Sequence, residues 1–285
     1  MTKNRPFRLS IITDEVSQDP AAAIELARRF SYDAVELRSV WDSPVELLPE
    51  DRQAELSAML DEAGLSVSAI ASSFLKEDWG RDEREKFERL AYTCRRFGCT
   101  VLRGFSFWRS DSYSDGAFAD CLRPYDELLG RQGLTLVLEN DPAVNLSHAA
   151  ELFRFFQKHR FENIGVLWDP GNDIYTLGSA ALSAPASFEL LRPWIAHVHL
   201  KDAVAREGGA AGVAIGQGEL DTVGLLRCLA DSGYRGYVAL EPHFRLDGAL
   251  DEKQLRRPGG SAFSEKGYLP SLMCMERLQD IMDRL

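Results

Sequence analysis

Short runs of apolar residues alternate along the chain with longer amphipathic stretches. The apolar runs predict strands at Phe7–Thr13, Ala34–Arg38, Leu65–Ala71, Thr100–Phe105, Leu134–Glu139, Ile164–Asp169, Ile195–Lys201 and Tyr237–Glu241. Several are unbroken, the pattern of strands covered on both faces. Helix-period stretches lie between them at Pro20–Phe30, Glu50–Ala63, Asp82–Phe97, Gly116–Gln132, Ser147–Arg160, Ala180–Arg192 and Thr222–Ser232, with an eighth at Pro270–Leu285. Gly64, Gly98, Gly133 and Gly233 follow four of these as stop signals. Eight strand–helix units predict a (β/α)8 TIM barrel, the α/β class, with residues 1–285 in a single domain. A doubly wound open sheet is the competing arrangement. Val204–Glu219 is rich in Gly and Ala and reads as a mobile loop, and polar Leu246–Gly267 as a long excursion before the last helix.

Composition sharpens this picture in three places. Hydrophobic residues are 45% and charged residues 27% of the chain, as in globular proteins with an ample core. Lys and Arg number 33 against 44 Asp and Glu, a net charge of −11. Such a surface repels phosphate backbones and anionic lipid, so neither nucleic acid nor membrane is expected as a partner. Five cysteines, an odd count with no CxxC pair, read as free thiols in a reducing compartment. The short apolar run in MTKNRPFRLSIITDE does not make a signal peptide, and no window approaches a membrane span. A cytoplasmic protein is expected, with homo-oligomers left open.

A barrel of this kind carries its chemistry at the C-terminal ends of the strands. Strand five ends in Glu139 (LTLVLEN), strand six in Asp169 (IGVLWDPGN), strand seven carries His199 (IAHVHLKD) and strand eight ends in Glu241 (GYVALEPH). Glu139 to Asp169 and Asp169 to His199 are both 30 residues, and His199 to Glu241 is 42, the excess lying in the Gly-rich stretch. One strand–helix unit takes roughly 30 residues, so the four side chains recur at one height. Three carboxylates crowded together repel one another unless a cation joins them. An oxygen-rich set with one imidazole suits Mn2+ or Mg2+, with Co2+, Ni2+ or Zn2+ as substitutes. A lone acid at a strand end is ordinarily a cap or ion-pair partner; four in register are not.

The segments LEN, WDPGN, HVHLKD and LEPH, with ITDEVSQDP and DAVELR, resemble the xylose isomerase-like TIM-barrel superfamily of sugar phosphate isomerases and epimerases. Its members include D-tagatose 3-epimerase, hydroxypyruvate isomerase, inosose dehydratase and, more distantly, endonuclease IV. The resemblance implies that Glu139, Asp169, His199 and Glu241 bind the metal and that Glu139 and Glu241 are the catalytic acid–base pair. One position departs: where several epimerases and endonuclease IV have a His three residues after the strand-six Asp, this chain has Asn172, which cannot shuttle protons near pH 7. A three-zinc nuclease site also needs more imidazoles than the five histidines supply.

Other polar groups near strand ends are candidate substrate contacts: Glu36, Arg38, Arg103, Asn172, Lys201, His243 and Trp108. Arg38 has a local acid as its alternative partner, Arg103 has Glu36, and Lys201 has a neighbouring carboxylate. His197 shares the face of His199, one layer deeper. Phe74 and Phe107 are expected beside Trp108 as an apolar wall, and Gly216–Gly218 reads as a turn near the site.

Three functions fit. The first is a metal-dependent isomerase or epimerase that enolises a small keto- or aldo-sugar: a base takes the proton beside a carbonyl and a metal acts as Lewis acid. One glutamate then needs a pKa raised toward working pH. The second is a metal-dependent dehydratase or lyase on a keto-polyol of inosose or dehydroshikimate type, which differs only in where the acid is aimed. The third is a non-catalytic or endonuclease IV-like barrel. The residues name neither the sugar nor its phosphorylation state.

Overall fold

The computed structural model describes residues 5–207, 209–248 and 250–285. The expected strands are all present: β1 Arg8–Ile11, β2 Ala34–Leu37, β3 Ser66–Phe74, β4 Val101–Gly104, β5 Thr135–Glu139, β6 Ile164–Trp168, β7 Ile195–Leu200 and β8 Tyr237–Leu240. Each pairs in parallel with its sequence neighbour from β2 through β8, and β8 pairs with β1. The remaining seam, between β1 and β2, is bridged by Ile12 and Glu36. The result is a nearly closed eight-stranded parallel barrel ringed by helices, a (β/α)8 TIM barrel.

Alternation along the strands decides what reaches the mouth. Leu136 and Leu138 on β5, Val166 and Trp168 on β6, Val198 and Leu200 on β7, and Val238 and Leu240 on β8 join the large apolar core. Side chains one residue away therefore face the other side of the sheet. Glu139, Asp169, His199 and Glu241 have that parity. The register is consistent with one level: Glu139 pairs with Leu167, Trp168 with Val198, and Ala239 with His199. Between Val35 and Leu37 the register of β2 shifts, so Glu36 sits at a bulge.

The helices match expectation closely, and Glu50–Ala63 is as read. Gly64 and Gly133 cap their helices in the left-handed conformation, with φ of 68° and 65°. Pro170–Leu177 is a helix the hydrophobic pattern does not announce. It starts on Asp169, whose side chain accepts from Asn172 N, with Pro170 in the first turn. Val204–Glu219 is not simply a loop. Asp202–Arg206 and Gly209–Val213 form an antiparallel hairpin over the mouth, Gly208 lying outside the described residues. Its small residues have a steric reason: a Cβ on Gly212 would stand 2.1 Å from the His243 carbonyl oxygen. The Leu246–Gly267 excursion contains two short helices, Glu252–Arg256 and Gly260–Ser264; Ala249 lies outside the described residues.

Two buried acids hold the loops together. Asp202 accepts from the backbone N–H of Ala203, Gly216, Gly218 and Leu220, so the Gly216–Gly218 turn wraps a carboxylate. Asp202→Ala strips these donors of their acceptor. It should cost about 3 kcal/mol, measured by urea unfolding; a change under about 0.5 kcal/mol would show that the hairpin needs no anchor.

Asp173 accepts from Asn140 Nδ2 and Ala149 N, tying the β5 loop to the next helix. Burial pushes its carboxyl up to about 7 from the usual 3.8, with Asp169 adding to the rise. The folded state thus holds this proton more tightly than the unfolded chain does. Its contribution is present below pH about 3.8 and lost as pH rises to about 7. Asp173→Asn removes this loss, so its melting temperature relative to wild type should be higher at pH 8 than at pH 5. An identical difference at both pH values would refute the assignment.

Candidate metal and active site

The four strand-end side chains converge. One ligand atom each from Glu139, Asp169, His199 and Glu241 lies within 4.8 Å of all the others, and all four residues are buried. His199 Nδ1 is 3.3 Å from Glu139 Oε1 and 3.4 Å from Glu241 Oε2. Two buried atoms in this group, His199 Nδ1 and Asp169 Oδ2, have no hydrogen bond of good geometry, although Lys201 Nζ pairs with Asp169 Oδ2 at 2.6 Å. Buried polar atoms left this way are rare. Three oxygen donors and an imidazole around one point fit a divalent ion.

Beneath the cluster, Glu36 orients the imidazole. Its Oε1 is 2.9 Å from His199 Nε2 and its Oε2 is 2.7 Å from His197 Nε2. With Nε2–H donated to Glu36, Nδ1 is free to ligate, the usual second partner of a metal-binding histidine. Both Glu36 oxygens are therefore committed, and Glu36 does not line the mouth cavity. The expected substrate contact there gives way to support of His199, and Arg103 is paired elsewhere.

Arg103 Nη1 lies 3.1 Å from Glu139 Oε2, and its other nitrogens donate to the carbonyls of Ser72 and Ala71. Arg38 is held by acids: Nε to Asp14, Nη2 to Glu15 and Nη1 to Glu241, at 2.9, 2.8 and 2.8 Å. Lys201 Nζ bridges Asp169 Oδ2 and Glu241 Oε2 at 2.6 and 2.7 Å. Asn172 Nδ2 donates to Asn140 O and, at 3.3 Å, to Glu139 Oε1. It therefore steadies a carboxylate. His243 has a positive φ of 41° and sets Nε2 3.2 Å from Glu15 and 3.6 Å from Glu241.

Arg38, Arg103, Lys201 and His243 line a cavity of about 250 Å3 with Glu139 and Glu241. A second cavity of about 580 Å3 adjoins it and shares Asp141, His243 and Leu255; Asn172 lines this outer one. Trp108 lines neither, because Arg256 and Arg257 stack over its ring at 4.5 and 5.2 Å. Phe74 and Phe107 are in the core, not on a substrate wall: Phe107 meets Trp79 edge-on and Phe74 packs on Tyr125. The pattern-based reading passed over Asp14, Glu15 and the Lys76–Asp141 pair at 2.7 Å. Their signal was position: Asp14 and Glu15 follow the end of β1, Lys76 follows β3 and Asp141 follows β5.

The electrostatics depart from one expectation. Neither glutamate has a raised pKa. Burial alone would raise Glu139, but Arg103 and His199 bring it down to about 2. Burial is likewise overcome at Glu241 by Lys201, His243 and His199, which hold it well below the carboxylate range. The raised member is Asp169: burial brings it to about 6 against the pull of Lys201.

A family model described as xylose isomerase-like TIM barrel matches residues 24–258. Solved structures share the whole fold at low identity. A xylose isomerase domain protein from Planctomyces limnophilus is 16% identical with a TM-score of 0.69, covering 99% of each chain. D-psicose 3-epimerase from Clostridium cellulolyticum H10 is 16% identical with a TM-score of 0.70, over 97% of this chain and 99% of its own. The probable 3-DHS dehydratase AsbF from Bacillus anthracis is 18% identical with a TM-score of 0.67, over 91% and 98%. No curated protein sequence matches. No helix among the described residues is long and apolar enough to cross a membrane. With the family model covering most of the barrel, the chain belongs to the xylose isomerase-like TIM barrel family.

Proposed function

We propose that the chain is a divalent-metal-dependent enzyme that isomerises or epimerises a small keto- or aldo-sugar, or a derivative, by moving a proton beside the carbonyl. The observation that carries this reading is the pair of glutamates. Glu139 and Glu241 stand on strands three apart, both approach His199 Nδ1, and both line the inner cavity. Asp169 and His199 lie between them and complete the ligand set. A divalent ion held there, Mn2+ or Mg2+ by donor chemistry, supplies Lewis acidity to a bound carbonyl.

The protein's own groups supply the rest. Glu139, steadied by Arg103 and Asn172 and held ionised by Arg103 and His199, faces one side of the substrate as a base; a substrate that draws those charges away would bring its pKa back up for the return of the proton. Glu241, held between Arg38 and Lys201, faces the other. Lys201 and His243 are placed to donate to substrate oxygens. The burial of the set excludes bulk water, which strengthens each of these charged contacts.

A dehydratase acting on a keto-polyol is the second reading. It is favoured by the Lys201, Arg103 and Lys76 side chains on the cavity wall, which can hold a departing hydroxyl or a carboxylate. AsbF, similar in fold, is described as a probable dehydratase.

Incubation of Mn2+-loaded protein with ketoses, inososes and 3-keto-glycosides in deuterated water tests both. Deuterium at a carbon beside the carbonyl of recovered sugar supports the isomerase or epimerase, and loss of water by mass supports the lyase. Neither, with metal bound, rejects enolisation. Glu139→Gln and Glu241→Gln should each lower turnover by about 10²–10⁴-fold per metal-loaded site, metal content being measured beside rate; a rate within a few-fold of wild type with metal retained would remove that glutamate from proton transfer. Asp169→Asn should instead lose Mn2+ by elemental analysis, and full metal content there would contradict its role as ligand.

A further inference from the structure

Lys201 shares its two partners with the ligand set. Its Nζ lies 2.6 Å from Asp169 Oδ2 and 2.7 Å from Glu241 Oε2, and its side chain is 2% exposed. Both acids belong to the four groups that converge on one point. The arginines reach other oxygens of the set: Arg103 takes Glu139 Oε2 and lies 3.8 Å from Glu241 Oε1, which Arg38 takes at 2.8 Å. Asp169 has no arginine; its one ion pair among the described residues is with Lys201.

The lysine is also clamped. A Cβ on Gly171 would stand 2.5 Å from Lys201 Cγ and 2.9 Å from its carbonyl oxygen. The glycine of the WDPGN turn thus makes room for the lysine stem, and that wall closes one direction of swing. The ammonium is therefore a fixed charge beside the ligand oxygens, not a tether that sweeps the mouth.

We infer that Lys201 is the resident counter-cation of the metal site: it holds Asp169 and Glu241 in ligand register before an ion binds, and by sharing their oxygens it limits how tightly the ion is then held. The inference rests on the metal role proposed above for the four residues and goes beyond it. Two physical terms act in opposite directions. Without an ion, the ammonium offsets repulsion among Glu139, Asp169 and Glu241. With an ion, like charges a few ångströms apart repel, and in a buried site little water screens them. A lysine that only touches substrate predicts neither effect.

The test is Lys201→Met, which keeps the stem and removes the charge, studied at pH 8 with Mn2+ as probe. After EDTA treatment the variant should melt below EDTA-treated wild type, and Mn2+ should raise its melting temperature by more than it raises that of wild type. Its calorimetric Kd for Mn2+ should fall by about tenfold or more. An unchanged or weaker Kd overturns the inference, whatever the melting temperature. If the variant folds only when expressed with Mn2+, chelation replaces the melt: unfolding where wild type survives supports the inference, and equal survival overturns it. If neither protein binds Mn2+, the metal reading itself falls. Equal binding by both overturns the Lys201 inference alone.

Discussion

Among the acids buried at the C-terminal end of the barrel, six form one charged network: Asp14, Glu15, Glu36, Glu139, Asp169 and Glu241. Taking so many charges out of water is unfavourable unless each finds a partner, and the pairing of these six organises the site. Glu36 is matched by two imidazoles below the mouth, Asp14 and Glu15 by Arg38, and Glu139 by Arg103. Glu241 is the hinge of the network, because Arg38 holds one oxygen and Lys201 the other. Among the described residues the arginines and lysine that pair with these six acids number four: Arg38, Arg103, Lys201 and, at 3.8 Å from Glu15, Arg245. Acids outnumber these cations where Glu139, Asp169, His199 and Glu241 converge, and a divalent cation is the species that such a deficit attracts.

This network also explains why the barrel interior departs from the packed branched side chains usual at its centre. Ser10 and Ser68 meet across it through their hydroxyls at 2.7 Å, and Glu36, His197 and His199 follow toward the mouth. Apolar packing is displaced to the other face of the strands, under the helices, where Leu136, Val166, Val198 and Val238 lie. The two faces divide the work: one supplies stability through burial, and the other holds side chains that cost stability to keep charged.

The strands and the four-residue cluster were legible because both depend on period. A strand ending in an acid, repeated at the length of one strand–helix unit, predicts convergence without knowledge of any loop. What was not legible depends on bends. Glu36 sits at a bulge, so counting residues along β2 does not say that both its oxygens turn inward to histidines. Arg38 lies two residues on and reaches Asp14 and Glu15, whose own helix, Thr13–Val16, is too short to leave a periodic signal. Phe74 and Phe107 were placed by loop position as a substrate wall, but both have positive-φ neighbours or backbone of their own: Leu75 has φ of 59° and Phe107 of 58°. Chain direction at such turns is set by local conformation and tertiary packing, which apolar spacing does not encode.

Asn172 shows how a departure from a family pattern can be read physically. A histidine at this position could exchange protons; an amide cannot, yet it can donate to two acceptors at once. Here Asn172 donates to Asn140 O and Glu139 Oε1, while its backbone N–H caps onto Asp169 Oδ1. One residue thereby joins the two acids of adjacent strands to the start of the Pro170–Leu177 helix. Asn140 reinforces the same joint, its side chain donating to Asp169 O and accepting from Asp169 N. The two asparagines together fix the distance between Glu139 and Asp169 that a shared ion would require.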